Sequence, residues 1–154
     1  MCPLCKFLSL ISRPSRPFPD VLPLYKYPIL TCPGKSIVVL HVTFPPDGST
    51  PPHTHAGAFV SVNVTSGYVL NKMNNDPMII LGPGESFTES PKCRHIISDN
   101  ASATEPATMV ATFIVDTKVV DALGVNGLVI IDEDYRSLAV ERKQKPPANI
   151  GGTS

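Results

Sequence analysis

The sequence lacks an excess of charge of either sign, since 13 lysine and arginine residues balance 13 aspartate and glutamate residues. Proteins that bind nucleic acid or anionic lipid usually carry a basic patch, so neither partner is expected. It also lacks an apolar run near the ~20 residues that span a bilayer. Pro3 and Lys6 interrupt the opening stretch 1–11, which makes it a poor signal peptide. We predict a cytoplasmic protein.

Cysteine is scarce, with four residues at positions 2, 5, 32 and 93. This number and spacing do not resemble the dense disulfide framework of a small secreted domain. Cys2 and Cys5 form a C-x-x-C pair, but the second half of a zinc site and the βαβ setting of a redox motif are both missing. We interpret the pair as an incidental part of an N-terminal tail, and its role stays open.

Proline and glycine are abundant, with 17 and 10 residues, and no stretch shows a sustained helical period. This balance predicts an all-β protein built from many short strands joined by turns. A length of 154 residues suits a single domain. We predict a flexible N-terminal arm at 1–20, one domain at 21–142 and a disordered tail at 143–154.

Alternation of apolar and polar side chains predicts where the strands lie. Val60, Val62 and Val64 share one face of a strand at 60–65, and we expect that face to be buried. Further strands are predicted at 36–44, 68–73, 78–81, 85–89, 95–98, 107–115 and 128–131. Short C-terminal helical segments are predicted at 119–123 and 132–142.

Three histidines lie where a predicted strand meets a turn rich in proline or glycine: His53 and His55 in PPHTHAG, and His95 in SPKCRH. Residues i and i+2 of a strand point to the same side, so His53 and His55 can offer two imidazoles to one ion. A neighbouring strand would supply the third. Surface or core histidines are commoner than ligands when each is taken alone, but this combination favours a metal site.

The two histidine segments resemble the two sequence motifs of the cupin superfamily. The resemblance is carried by GSTPPHTH at 48–55 with Gly67, and by GESFTESPKCRH at 84–95 with Asn100. The runs HAGAFVSVNVTSGYV, GPGESFTES and DNASATEPATMVATFIVDT are similar to small fungal single-domain cupins found near secondary-metabolite genes. The resemblance implies a double-stranded β-helix, also described as a jelly-roll barrel, that encloses a metal ion and commonly forms a homodimer.

The sequence departs from these motifs in two places. The first motif usually supplies a glutamate a few residues beyond its second histidine, where this chain has Ala58, Phe59 and Val60. We therefore expect a site with three histidines and no glutamate ligand. The second motif usually has glycine between its proline and histidine, where this chain has Lys92, Cys93 and Arg94. The turn must therefore form without the conformational freedom of glycine. Three imidazoles suit Fe(II), Zn(II), Mn(II) or Ni(II), and the ligand type alone does not choose among these metals.

Glu85 and Glu89 are the two carboxylates within the second motif, and Glu89 is the closer of the two in sequence to His95. We predict Glu89 as a catalytic proton shuttle. The alternative is a solvated or turn-capping carboxylate. Cys93 is either a pocket residue or a small hydrophobic residue.

The predicted apolar lining would accept an aromatic or polyketide-like substrate better than a sugar or nucleotide. It consists of Val60, Val62, Val64, Met109, Ala111 and Phe113. The same residues would also form the core of any barrel.

Three functions are compatible with these observations. The leading hypothesis is a metal-dependent enzyme that acts on a small phenolic, enolic or β-dicarbonyl metabolite, by oxygenation or by a non-oxidative decarboxylation, isomerisation or cyclisation. The second is a non-catalytic module that binds a small ligand, and the third is a protein in which the ion only stabilises the fold. Cupins host many chemistries, so the fold does not choose among them.

Overall fold

The fold is that of a computed structural model, which describes residues 16–137. Within these residues the chain forms strands and one short α-helix, with two turns of 3₁₀-helix near the end. The strands are β1 (Asp20–Pro28), β2 (Lys35–Phe44), β3 (Ser49–Thr50), β4 (His53–Thr54), β5 (Phe59–Ser66), β6 (Val69–Met73), β7 (Ile79–Leu81), β8 (Ser86–Glu89), β9 (His95–Asn100), β10 (Ala107–Asp116) and β11 (Ile130–Ile131). Helix α1 is Thr117–Leu123, and the 3₁₀ turns are Val125–Leu128 and Glu133–Tyr135.

The strands form two antiparallel sheets. The first sheet has the order β1-β2-β10-β5-β8, and the second has the order β11-β4-β9-β6-β7, with β3 paired to β9. The inner faces of the two sheets enclose the core. The all-β prediction and the double-stranded β-helix architecture are confirmed.

The alternation read from the sequence matches the burial seen in the structure. Val60, Val62 and Val64 are each 1% exposed, and their cross-strand partners on β10 are Phe113, Ala111 and Met109. Aromatic and branched side chains placed opposite one another in this way stabilise a sheet. The predicted interior face of β5 is therefore confirmed.

Strand β1 was not predicted as a strand, and it is the edge of the first sheet. Its sequence DVLPLYKYP contains two prolines and is exposed along its whole length. Proline removes a ladder hydrogen bond and is confined to edges and irregular positions, and the register of β1 against β2 shifts between Pro23 and Tyr25. The prolines and the lack of a buried face removed the sequence signal for this strand.

The segment just before β1 packs against the barrel through Arg16. This side chain is 2% exposed, and its Nη1 donates a hydrogen bond of 2.6 Å to Oδ2 of Asp99 on β9. Its Nε donates to the carbonyl oxygen of Asp47 at 3.0 Å. Residues 16–20 therefore belong to the packed structure, although the sequence assigned them to the arm.

The remaining parts of the predicted arm (1–15) and the predicted tail (143–154) lie outside the described residues. The helix predicted at 119–123 is confirmed as α1. Of the helix predicted at 132–142, the described part contains the 3₁₀ turn Glu133–Tyr135 and two helical residues at 136 and 137, and positions 138–142 lie outside the described residues. Between residues 16 and 137, no helix has the length and apolar character needed to cross a membrane.

Candidate metal centre

The three predicted histidines meet on the inner side of the second sheet. His53 lies on β4, directly opposite His95 on β9. His55 follows β4, and the chain then turns at Ala56 and Gly57, which both have positive φ. This turn leads into β5 and keeps His55 on the same side as His53. All three side chains are buried, and their potential ligand atoms lie within 4.8 Å of one another.

Two backbone carbonyls fix how His53 and His55 present their rings. The Nδ1 atom of His53 donates to the carbonyl of Pro51 at 2.7 Å, and the Nδ1 atom of His55 donates to the carbonyl of Leu128 at 3.1 Å. Because a carbonyl oxygen only accepts, Nδ1 is the nitrogen that carries the hydrogen in the neutral form of either ring. The Nε2 lone pairs are therefore free to bind a cation, an arrangement common among metal-binding histidines.

Glu89 joins the three histidines. It lies at the end of β8 and is 3% exposed, and its Oε2 atom is 3.0 Å from Nε2 of His55. The same oxygen is 3.4 Å from Nδ1 of His95. A solvated position for this carboxylate, which was the alternative left open by the sequence, is therefore excluded.

The electrostatics keep Glu89 ionised and His53 neutral. Burial by itself raises the pKa of Glu89, but the electrostatic and hydrogen-bonding influence of His95 and His55 outweighs it and holds that pKa well below its ordinary value. Burial lowers the pKa of His53 well below its ordinary value, and the neighbouring His95 and His55 lower it further. An ionised carboxylate and a neutral imidazole are both donors that divalent transition metals accept.

Several buried polar atoms of this cluster have no hydrogen-bond partner among the described residues. They are Nε2 of His55, Oε2 of Glu89, and both Nδ1 and Nε2 of His95. Buried polar atoms in folded proteins are rarely left unsatisfied. One ligand atom from each of His53, His55 and His95 lies within 4.8 Å of the other two, so this cluster can hold a metal ion, which would give some of these atoms a partner.

Aromatic rings pack against two of the histidines. Phe113 meets the ring of His55 edge-on, with 5.2 Å between ring centroids, and Phe87 meets the ring of His95 in the same way at 5.7 Å. Edge-to-face contacts of this kind are favourable for aromatic rings. His55 is therefore held by aromatic packing and by a backbone carbonyl, and His95 is held by aromatic packing.

The cluster lies on the wall of a cavity of about 980 Å³ between the two sheets. Of the predicted lining, Val60, Val62, Met109, Ala111 and Phe113 face this cavity, whereas Val64 does not. The segment 17–21 closes one side, and Val125, Asn126, Val129 and Ile131 contribute from the region after α1. None of the described lining residues is a lysine or arginine.

Two sequence candidates lie away from the cavity. Cys93 does not line it, and its sulfur accepts a hydrogen bond of 3.4 Å from the side-chain amide of Asn74. The pocket role considered for Cys93 is therefore wrong, because the turn after β8 directs it towards Asn74. The Oε2 atom of Glu85 accepts a hydrogen bond of 2.6 Å from the backbone NH of Gly82.

Sequence reasoning missed the carbonyl groups of Pro51 and Leu128, which orient His53 and His55. No pattern of side chains in the sequence indicates which backbone carbonyl will accept such a hydrogen bond.

Comparison with known proteins agrees with this geometry. A two-sheet β-helix with clustered histidines inside defines a cupin-type barrel, and residues 40–113 match the family model described as Cupin domain. This match and the shared fold support the cupin superfamily for this domain. No curated protein is significantly similar in sequence.

Three solved structures illustrate the similarity of fold. The cupin domain of Cnp3 from Schizosaccharomyces pombe is 15% identical, with a TM-score of 0.54 over 70% of this chain and 68% of that one. KdgF from Halomonas sp. is 14% identical, with a TM-score of 0.52 over 62% and 77%. A Cupin 2 conserved barrel domain protein from Salinispora arenicola is 18% identical, with a TM-score of 0.51 over 68% and 81%. At these identities the similarity is one of fold alone.

Proposed function

We propose that this protein is a metal-dependent cupin enzyme that acts on a small phenolic, enolic or polyketide-like metabolite. The observation that carries the proposal is the position of His53, His55, His95 and Glu89 on the wall of a cavity of about 980 Å³. This volume lies in the range of small-molecule sites. Iron, zinc, manganese or nickel fits the donor set, and the bound ion would act as a Lewis acid on a substrate oxygen.

The lining of the cavity favours a neutral substrate. Most of its lining residues are apolar, including those from β2, β5 and β10, and its charged lining side chains, Asp20 and Glu89, are both acidic. A substrate carboxylate would meet no cationic side chain among the described lining residues, apart from the ion itself. A largely apolar molecule with one enol, phenol or β-dicarbonyl group would match this environment, because only its oxygen atoms need a polar partner.

The role of Glu89 in the reaction depends on what its carboxylate binds. The sequence suggested a proton shuttle, and a carboxylate within reach of substrate can move a proton between substrate and solvent. A carboxylate that binds the ion cannot do so at the same time. The short distances between Glu89 and two imidazoles favour ion binding.

We expect the metal-loaded protein to discriminate between neutral and acidic ligands. A neutral aryl β-diketone should bind at least about tenfold more tightly than a sugar acid of similar size, a difference of roughly 1.4 kcal/mol. Titration calorimetry measures the affinity, and mass spectrometry of the incubated mixture measures conversion. Binding with conversion supports the enzyme. Binding without conversion supports the alternative, a non-catalytic ligand-binding module. Equal affinity for both compounds contradicts the proposed substrate class.

A homodimer is also part of the proposal, and strand β1 supports it. Leu22, Tyr25 and Tyr27 on this edge strand are exposed by 61%, 44% and 61%. Exposed apolar edge strands commonly mark a contact with another chain. We expect light scattering to give twice the chain mass for the native protein and one chain mass for a Leu22→Lys, Tyr27→Lys variant. Leu30→Lys, which changes an apolar residue outside β1, is the matched control, and a monomeric native protein would contradict the prediction.

A further inference from the structure

Two hydrogen-bond acceptors face each other inside the candidate metal centre. The Nδ1 atom of His55 donates to the carbonyl of Leu128, so its Nε2 atom carries a lone pair when the ring is neutral. This lone pair lies 3.0 Å from the Oε2 atom of Glu89, and neither atom has another partner among the described residues. Two buried acceptors at this distance repel one another unless a proton or a metal ion lies between them.

The distances from Glu89 match those expected between two ligands of one ion. Bonds from zinc to imidazole nitrogen and carboxylate oxygen are about 2.0–2.2 Å, so neighbouring ligand atoms lie roughly 3.0–3.5 Å apart. Oε2 of Glu89 is 3.0 Å from Nε2 of His55 and 3.4 Å from Nδ1 of His95. Both separations fall in this range.

The strand register explains how a carboxylate reaches the ion from β8. Glu89 is directly opposite Val60 on the neighbouring strand β5. Val60 is 1% exposed and lines the same cavity as the histidines. It is also the inward-facing residue of the stretch in which the first motif normally has its glutamate. A carboxylate at position 89 therefore enters the same space from the adjacent strand.

We propose that Glu89 is a fourth protein ligand of the ion held by His53, His55 and His95, supplied from β8 in place of a ligand from β5. This inference rests on the proposed function, since it requires that the histidines bind a metal. It revises the sequence expectation of a site with three histidines and no glutamate. It also replaces the predicted role of Glu89 as a proton shuttle by a role as a metal ligand.

The test measures cobalt binding by the full-length protein and its variants. Dissociation constants are obtained by competition with a chelator, and the visible absorption bands of bound Co(II) report the ligand set. We expect Glu89→Val to weaken binding by at least about tenfold, which is the lower bound for losing even an outer partner of a metal ligand, and to change the Co(II) bands. Glu89→Gln keeps the shape of the side chain and should also change the bands.

A swap of the two opposed residues gives the sharpest control. In Val60→Glu, Glu89→Val the carboxylate reaches the cavity from β5, and we expect it to recover most of the affinity lost in Glu89→Val. Glu85→Gln, which alters the exposed carboxylate before β8, should behave like the native protein. Unchanged Co(II) bands in both Glu89 variants would overturn the inference while leaving the metal site intact. Absence of cobalt binding by the native protein would instead refute the proposed function.

Discussion

Replacing His53 and His55 together by alanine is expected to abolish metal binding. The two side chains provide two of the clustered imidazoles, and both rings are oriented by backbone carbonyls for binding through Nε2. Loss of two ligands should weaken affinity by well over the roughly 10–100-fold that follows removal of one outer-shell partner. Elemental analysis of protein purified without a histidine tag should find about one ion per native chain and almost none in the variant.

Thermal unfolding provides a second measurement of the same effect. An ion that binds only the folded state at 100 times its dissociation constant stabilises the protein by about 2.7 kcal/mol. We expect added metal to raise the melting temperature of the native protein by roughly 5–15 °C and to leave that of the double variant unchanged.

His41→Ala is the matched control for the double variant. His41 lies on the outer side of β2, between inward-facing neighbours, and is only partly buried. It is the one histidine of the sequence outside the cluster of His53, His55 and His95, and it does not line the cavity. Metal content and the metal-induced change in melting temperature should therefore match the native protein. A double variant that still binds one ion per chain would show that the site lies elsewhere.

The strands of the core could be predicted from sequence because burial on one face leaves a period of two. β5 and β10 have this pattern; the observed β5 is longer than predicted by one residue at each end, and the observed β10 is longer by one residue at its C-terminal end. β1 has no buried face, so it leaves no such pattern. β3 and β4 have two residues each, which is too short for alternation to be recognised.

The candidate site was predictable in part for the same reason. Residues i and i+2 of a strand point to the same side, which placed His53 and His55 together, and the cupin-like motifs linked them to His95. Closeness in sequence to His95 suggested Glu89, but not that its Oε2 atom would lie 3.0 Å from Nε2 of His55. That distance depends on the register between β5 and β8, which is a long-range pairing with no local signal in the chain.

The buried ion pair of Arg16 is another long-range feature, because 83 residues separate Arg16 from Asp99. Both side chains are almost fully buried. Arg16 also contacts Asp47 through the carboxylate at 3.2 Å, and its Nη2 donates to the carbonyl of Gly48 at 3.3 Å. The next residue is tied to the same loop, because the NH of Ser49 donates to the carbonyl of Pro17.

Arg16→Met is therefore expected to have the largest effect on stability of the substitutions considered. It removes the positive charge and leaves Asp99 buried without its arginine partner, and breaking a buried pair on one side costs about 3–5 kcal/mol. Denaturant unfolding followed by circular dichroism measures the loss in the free energy of unfolding. The comparison is made between native protein and variant with the same metal content.

A second substitution separates lost charge pairing from lost packing. Arg16→Met, Asp99→Asn removes both charges, and it should recover part of the stability lost in Arg16→Met, because an amide costs less to bury than an unpaired carboxylate. Lys35→Met is the matched control, since it breaks an exposed pair with Asp116 and should leave the free energy of unfolding almost unchanged. If Arg16→Met is no more destabilising than Lys35→Met, Arg16 does not anchor the segment that closes the cavity. If Arg16→Met is more destabilising than Lys35→Met, the buried ion pair anchors the segment that contains Pro17, Phe18 and Pro19. Because these three residues line the cavity, the shape of the pocket would then depend on an ion pair between residues far apart in the chain.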